Sequence, residues 1–285
     1  MEAVKAESWD SVIGSEKGLF DINFKELWRY RDLILLFVRR DFVASYKQTI
    51  LGPIWFFITP LFTTFTFVVI FSKVAKLSTD GIPPVLFYLS GITFWAYFAD
   101  CLTKTSNTFT SNANIFGKVY FPRLSIPISI IISSLIKFGI QLLLLVFLVL
   151  YYAISAPAFL HLNGAILLVP FLVFIMALLG LGLGLIFSAF TTKYKDLSFL
   201  LQFGIQLLMY ATPVIYPLSS TGGKLKMVLQ LNPLSSIIET FRFSLFGVGH
   251  FSWLHLGYSF GFSVVVLFLG VVLFNQVEKS FMDTV

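Results

Sequence analysis

The sequence predicts an all-α membrane protein with six transmembrane helices, an N-terminal amphipathic interface helix, and re-entrant or interfacial helices in the last external loop. Of its 285 residues, 57% are hydrophobic and only 12% are charged, which is too few charges to cover a water-facing surface. Uncharged apolar runs long enough to cross a bilayer recur along the chain. Basic residues stand directly before the first of these runs, as is common where a chain enters the membrane from the cytoplasm.

The first span is predicted at residues 51–72, which carry no charged side chain. A helix over this range would be roughly 33 Å long at ~1.5 Å per residue, about the thickness of the hydrocarbon core. Arg39, Arg40 and Lys47 precede it, and an excess of Lys and Arg beside a first span usually keeps that side in the cytoplasm. We therefore predict a cytoplasmic N-terminus.

Two segments precede this span. Residues 1–22 are charged and lack the apolar core of a cleaved signal peptide, so they are predicted to form a cytoplasmic tail. In residues 23–48, apolar side chains fall on one helical face and basic side chains on the other. Asn23 and Glu26 have the spacing of a capping box at the start of this segment. The pattern predicts an amphipathic helix that lies in the cytoplasmic interface rather than crossing the membrane.

Five further spans are predicted in the transmembrane domain at 51–275, namely residues 84–103, 127–152, 164–190, 197–216 and 254–275. The external stretch between the last two contains two apolar runs of about a dozen residues, a length that fits re-entrant or interfacial helices better than spans. Residues 276–285 are a predicted cytoplasmic tail. Six spans place both termini in the cytoplasm, and most lysines and arginines then fall in cytoplasmic segments.

The sequence argues against several classes of function. Its net charge of +6 fits basic cytoplasmic loops better than a nucleic-acid surface. It contains no G-x-x-x-x-G-K-[ST] loop, so it has no such phosphate cradle of its own for ATP. His161, His250 and His255 lack metal-ligand spacing and a carboxylate partner, so neither a metal site nor a catalytic residue is predicted. Cys101 is the single cysteine, which excludes an internal disulfide.

Small residues and two charges inside the predicted spans indicate contacts between helices. Gly180, Gly184 and Ser188 recur at four-residue spacing, which lets helix backbones approach closely. Asp100 and Lys137 lie in spans two and three, and an ion pair between them is predicted because a charge inside a bilayer usually has a partner. The alternative is that Lys137 extends to the membrane surface without pairing.

Five segments, in their order and placement along the chain, resemble one family. They are RRDFVASYKQTILGPIW at 39–55, KVYFPRLSIP at 118–127, YKD at 194–196, TPVIYP at 212–217 and NPLSSIIETFR at 232–242. Together they resemble the membrane permeases of ABC exporters for polysaccharides and polyol phosphates, a group of the type-2 ABC transporter class. The first segment is the most specific. The N-terminal tail is longer than is typical of the family.

The resemblance implies a homodimer in the inner membrane of a bacterium, with two copies of a separate ABC ATPase docked on its cytoplasmic side. ATP and Mg²⁺ would be bound by that partner, and no cofactor is expected in this chain. The implied substrate is a lipid-linked glycan, most of all an O-antigen, with capsule and wall teichoic acid precursors as alternatives. The family's coupling helix, which contacts the ATPase, would fall at 106–116, with Ser106, Asn107, Asn112, Asn114 and Phe116 as candidate contact residues.

Two stripes of side chains are predicted to line the glycan pathway. The stripe of span five has helical spacing and holds both glutamines of that span. It comprises Phe199, Gln202, Phe203, Gln206, Met209, Tyr210 and Pro213, and the stripe of span one comprises Trp55, Thr59, Phe62, Thr63 and Thr66. Sugars can stack on the aromatic rings and form hydrogen bonds with the hydroxyls and amides. Polar contacts between helices are the alternative explanation of both stripes.

Arg39, Arg40 and Lys47 are predicted to bind the anionic headgroup of the lipid carrier as well as to fix the topology. They cluster where a lipid diphosphate would approach from the inner leaflet, and the planar guanidinium of arginine suits phosphate oxygens. A role in topology alone is the alternative.

Two other classes of membrane protein remain open from the residues alone. A proton- or sodium-driven secondary transporter usually has acidic or histidine residues near the midplane, whereas here Asp100 lies close to one face. A membrane-embedded glycosyl or acyl transferase would need a catalytic group on a sizeable loop. The external loop offers Glu239 with Arg242 three residues on, which is more simply a local ion pair. A neighbouring gene that encodes an ATPase would favour the ABC class.

Overall fold

The computed structural model describes residues 24–155 and 163–284, and every regular element in these two ranges is a helix. The all-α fold is therefore confirmed for the described part of the chain. Three predictions lie outside it: the tail at 1–22, the cap at Asn23, and the position of His161 in the external turn.

The predicted interface segment forms two helices instead of one. α1 (Phe24–Arg29) and α2 (Arg31–Ala44) meet at a break at Tyr30. The inward face of α2 buries Ile34, Phe37 and Val38 against the long third span, while its other face exposes further apolar side chains, including Leu36. The buried face fixes α2 to the bundle, and the exposed apolar face is the type of surface that enters a membrane interface.

Five helical segments are long and apolar enough to cross a membrane, so the chain is a multi-pass membrane protein. These segments are Gly52–Val74, Pro84–Ser106, Ser125–Ser155, Gly164–Lys193 and Trp253–Glu278. In order they contain α3 (Trp55–Phe67), α4 (Pro84–Ser106), α6 (Ser125–Ser155), α7 (Val169–Lys193) and α11 (Trp253–Thr284), and a π-helical turn, Val68–Val74, extends α3.

The fifth predicted span is shorter than the sequence suggested. Its helix, α8, covers Leu197–Tyr210, and the chain then leaves the helical conformation before Pro213. At ~1.5 Å per residue, 14 helical residues reach about 21 Å, which is less than the hydrocarbon core. Thr212 precedes a proline, and a residue in that position disfavours helical backbone angles. The predicted boundary at 216 is therefore wrong for the helix itself.

Other boundaries also differ from the predictions. α11 continues to Thr284, so most of the predicted tail at 276–285 is helical. Besides α1, α2 and α8, the short helices α5 (Thr108–Phe116), α9 (Gly223–Leu231) and α10 (Pro233–Phe246) lie outside the long segments. α10 begins at Asn232, whose side chain accepts a hydrogen bond of 3.0 Å from the amide of Leu234 and caps the first turn.

α4 is the central helix of the bundle, and it packs against α3, α6, α7, α8 and α10. α7 lies between α4 and α11, and its glycines allow the close contact. A Cβ at Gly184 would lie 2.5 Å from the Cβ of Thr105, and a Cβ at Gly182 would lie 2.6 Å from the backbone nitrogen of Leu267. Because these distances are shorter than real Cβ contacts, larger residues would separate the helices.

Candidate functional site

α3 presents much of its surface to the outside of the chain. Trp55, Thr59, Phe62 and Thr66 are exposed, whereas Thr64 faces inward and is buried. The hydroxyl of Thr66 donates a 2.9 Å hydrogen bond to the carbonyl oxygen of Phe62, one turn earlier. Thr63, which is half-buried, bonds to Thr59 in the same way. These threonine oxygens keep lone pairs that can accept hydrogen bonds from a ligand.

α8 contacts the bundle along one narrow face, where Leu201 and Ile205 are buried. The exposed members of its predicted stripe are Phe199, Gln202, Phe203, Gln206 and Tyr210, while Met209 is half-buried and Pro213 is buried. Leu200 and Leu207, on the opposite side of the predicted stripe, are exposed as well. A single chain therefore leaves three sides of α8 uncovered.

Asp100 of α4 makes three polar contacts, one within α4 and two with α6. Its Oδ2 lies 2.7 Å from Lys104 Nζ, accepts a 2.8 Å hydrogen bond from Ser134 Oγ, and lies 3.7 Å from Lys137 Nζ. Lys137 is thus near the carboxylate that the sequence assigned to it, but Lys104 makes the shorter contact. The four-residue spacing of Asp100 and Lys104 on one helix could have predicted this ion pair from the sequence.

The three basic residues before α3 do not form one group. The guanidinium of Arg40 bonds to Asp41 at 2.8 Å and to the side-chain oxygen of Asn112 in α5 at 3.4 Å. Arg39 and Lys47 are exposed. All three side chains are exposed, and Arg40 differs in that its guanidinium reaches α5.

α5 occupies the position predicted for the coupling helix. Asn114 is exposed and Asn107, at the junction with α4, is half-buried. Ser106 ends α4 and is buried, as are Asn112 and Phe116. The ring of Phe116 stacks on a neighbouring phenylalanine of the bundle, so three of the five candidate contact residues hold the segment in place instead of facing water.

A buried polar cluster surrounds Arg242 in α10. Its guanidinium donates to the carbonyl oxygens of Pro213 at 2.5 Å and Val214 at 2.7 Å, in the turn that follows α8. It also lies 3.7 Å from the ring centroid of Phe87 in α4. Arg242 is 1% exposed. One side chain thus joins α4, α10 and the end of α8.

Glu239 is the buried counter-ion of this cluster. Its carboxylate lies 3.5 Å from Arg242 and accepts hydrogen bonds from the amides of Leu218 and His250. Burial lowers the pKa of the Arg242 guanidinium, and the neighbouring Glu239 carboxylate opposes that shift. The sequence suggested only a local ion pair here, because the carbonyl partners lie almost thirty residues away.

These features define a multi-pass membrane protein of the transporter type, with uncovered polar and aromatic faces on two helices and a short amphipathic helix between spans. The family model of the ABC-2 type transporters matches residues 32–246, which run from α2 to the end of α10. The chain belongs to this family.

Several relatives have a stated role. The chain is 26% identical to an O-antigen export system permease protein of Klebsiella pneumoniae over 254 residues, which cover 88% of this chain and 94% of the relative. It is 27% identical to the O-antigen export system permease protein of Myxococcus xanthus, over 76% of this chain and 82% of that one. A polysialic acid transport protein of Escherichia coli is 22% identical over 86% of this chain and 93% of the relative.

Proposed function

We propose that this chain is the membrane subunit of an ATP-driven exporter that moves a lipid-linked polysaccharide, most of all an O-antigen, from the cytoplasm across the inner membrane. Its family and the names of its relatives support this function. Capsule and wall teichoic acid polymers are the alternative substrates within the same family. ATP and Mg²⁺ would bind to a separate ATPase, in agreement with the absence of the P-loop motif from the sequence.

The exposed faces of α3 and α8 are the observation that supports a pathway between two copies of the chain. In the most apolar 18-residue stretch of each span, 17% of the residues are buried in the segment that contains α3, against 78% in α4. Both helices pack on α4 with one face. Their remaining faces are exposed in the described chain. In a homodimer, the aromatic and amide side chains of α8 and the hydroxyls of α3 would line a shared passage.

The proposed orientation places α2 and α5 on the cytoplasmic side, where α5 would contact the ATPase, and both chain termini on that side too. α8 would be the fifth of six spans, completed by the turn that follows it. α9 and α10 would then form a re-entrant pair on the external side. Arg39, Arg40 and Lys47 would meet the phosphates of the lipid carrier at the inner leaflet.

The test is reconstitution. The chain would be co-expressed with the ABC ATPase encoded beside it, purified through a tag on the permease, and placed in liposomes with a lipid-linked O-antigen precursor. We expect co-purification of the ATPase and ATP hydrolysis that the precursor accelerates. Transport that persists without ATP and follows a proton or sodium gradient would instead show an ion-coupled transporter.

A further inference from the structure

A polar cavity of about 600 Å³ lies where α2, α4, α5 and α6 meet. Its charged lining consists of three cations, Arg40, Lys104 and Lys137, and one carboxylate, Asp41. Asp100, behind the two lysines, balances one of these charges. A net positive charge remains in a site that also has apolar walls, and this charge favours an anionic ligand.

The cavity also has a hydrogen-bond donor with no partner. Ser133 is 2% exposed, lines the cavity, and its hydroxyl makes no hydrogen bond with the described residues. Lys137 is one helical turn further along α6, so the two side chains lie on the same face. The ammonium of Lys137 lies 3.7 Å from the nearest Asp100 oxygen, which is longer than a direct hydrogen bond. Both groups can therefore donate to a ligand.

The remaining wall supplies further donors and a small apolar patch. Arg40 has one guanidinium nitrogen bonded to Asp41 and another to Asn112 at 3.4 Å, a long contact that a stronger acceptor would replace. Ala44, Ile115 and Ile130 form the apolar part of the lining. A cavity of this size exceeds a single phosphate and suits a diphosphate with its first attached groups.

We propose that this cavity binds the phosphate or diphosphate headgroup of a membrane lipid, held by Ser133, Lys137 and Arg40. The identity of the lipid as a glycan carrier rests on the proposed function, whereas the anion site rests on the cavity itself. Ser111 and Asn112 of α5 also line the cavity. A bound headgroup therefore contacts the segment proposed to dock the ATPase, which gives the transporter a way to couple substrate arrival to ATP hydrolysis.

Direct binding to the purified full-length chain in detergent tests this site, without a need for export. The probes are geranylgeranyl diphosphate, inorganic pyrophosphate and uncharged geranylgeraniol, measured by microscale thermophoresis. We expect the lipid diphosphate to bind, pyrophosphate to compete with it, and geranylgeraniol not to bind. Binding of pyrophosphate alone would overturn the lipid assignment in favour of a free phosphate.

Variants identify the cavity as the site. Ser133→Ala removes a hydroxyl without a partner in the described chain, so it should leave the melting temperature unchanged and weaken diphosphate binding by several-fold. Lys137→Gln and Arg40→Gln should each weaken it by about tenfold or more, as expected for a charge-assisted hydrogen bond. Lys195→Gln, an exposed lysine beyond α7 that does not line the cavity, is the matched control.

Unchanged affinity in Ser133→Ala and Lys137→Gln would overturn the proposal, even if the exporter function were intact. Conversely, a chain that binds the lipid diphosphate in this cavity but does not assemble with an ATPase would contradict the proposed function and leave the anion site in place.

Discussion

The guanidinium of Arg242 lies 2.7 Å from the carbonyl oxygen of Val214, and this contact joins α10 to the turn that ends α8. The turn has left the helix, so its carbonyl groups have lost their intrahelical partners. Arg242 supplies the missing donors from a different part of the chain. The buried ion pair with Glu239 therefore matters mainly because it holds the arginine beneath the turn.

The first prediction concerns this contact. Arg242→Met should lower the stability of the detergent-solubilised protein by about 3 kcal/mol or more, because it leaves the buried Glu239 carboxylate without its counter-ion and removes the donor to two carbonyl groups. Adding Glu239→Gln to that variant should recover part of the loss. The measurement is the thermal unfolding midpoint, with the exposed Lys224→Met in α9 as control. Equal midpoints for Arg242→Met and the control would contradict the assignment.

The second prediction compares two glycines within spans. Gly184→Ala should destabilise the bundle by about 1–3 kcal/mol, because the added methyl group would overlap Thr105 of α4. Gly139→Ala in α6 meets no atom within 4 Å and should be neutral or slightly stabilising, since alanine favours helix. Thermal unfolding of both variants checks the difference. A loss of stability at position 139 equal to that at 184 would show that packing is not the cause.

The third prediction separates the two faces of α5. Thr110 and Asn114 are exposed, so Thr110→Arg and Asn114→Arg should abolish co-purification with the ATPase and leave the melting temperature unchanged. Phe116→Ala should instead lower the melting temperature, because loss of a buried phenylalanine costs about 3–5 kcal/mol of stability. Pull-down through a permease tag reports binding. Normal pull-down of both arginine variants would place the docking surface elsewhere.

The fourth prediction distinguishes a pathway from a lipid-facing surface on α8. Cys101 is buried, and Cys101→Ser provides a background for single cysteines. A water-soluble maleimide should label cysteines at Gln202 and Gln206, and leave Leu201 silent because it is buried. Leu200 and Leu207 are exposed in one chain, so silence there would show that they face lipid. Labelling at 200 and 207 together with silence at 202 and 206 would rule out the pathway.

The fifth prediction ranks the partners of Asp100. Asp100→Ala should destabilise the protein, because it leaves Lys137 beside the membrane without its counter-ion. In double-mutant cycles, the coupling energy of Asp100 with Lys104, at 2.7 Å, should exceed that with Lys137, at 3.7 Å. Unfolding midpoints of the single and double variants supply the energies. A larger coupling energy with Lys137 would contradict this ranking and show that Lys137 is the main partner of Asp100 in the membrane.

Patterns of neighbouring residues predicted the long spans and the close packing of α7 on α4. Apolar runs gave the five long spans because the membrane selects for hydropathy over about 20 residues. The spacing of Gly180 and Gly184 predicted close packing, and α4 provides the contact surface through Cys101 and Thr105. Family resemblance placed a coupling helix at 106–116, and the structure has a helix at Thr108–Phe116.

Other features depend on residues far apart in sequence, which is why the sequence could not reveal them. Nothing near Arg242 signals that its partners are the carbonyl groups of Pro213 and Val214. Phe116 is buried in an apolar cluster that also contains Phe121 of the following loop, Ile126 and Ile130 of α6, and Phe274 of α11. Ser133 has no local pattern that marks it as unpaired. The cavity it lines exists only once four helices have assembled.

Arg123 connects α5 to the C-terminal part of α11. Its guanidinium lies 5.7 Å from the ring centroid of Phe116 in α5 and donates to the backbone carbonyl oxygen of Glu278 in α11. α11 in turn touches α7 so closely that a Cβ at Gly270 would lie 2.5 Å from the carbonyl oxygen of Gly182. The consequence is mechanical: α5, α11, α7 and α4 are expected to move as one rigid body. A motion that opens the proposed passage would then fall to α3 and α8, each of which buries only two residues.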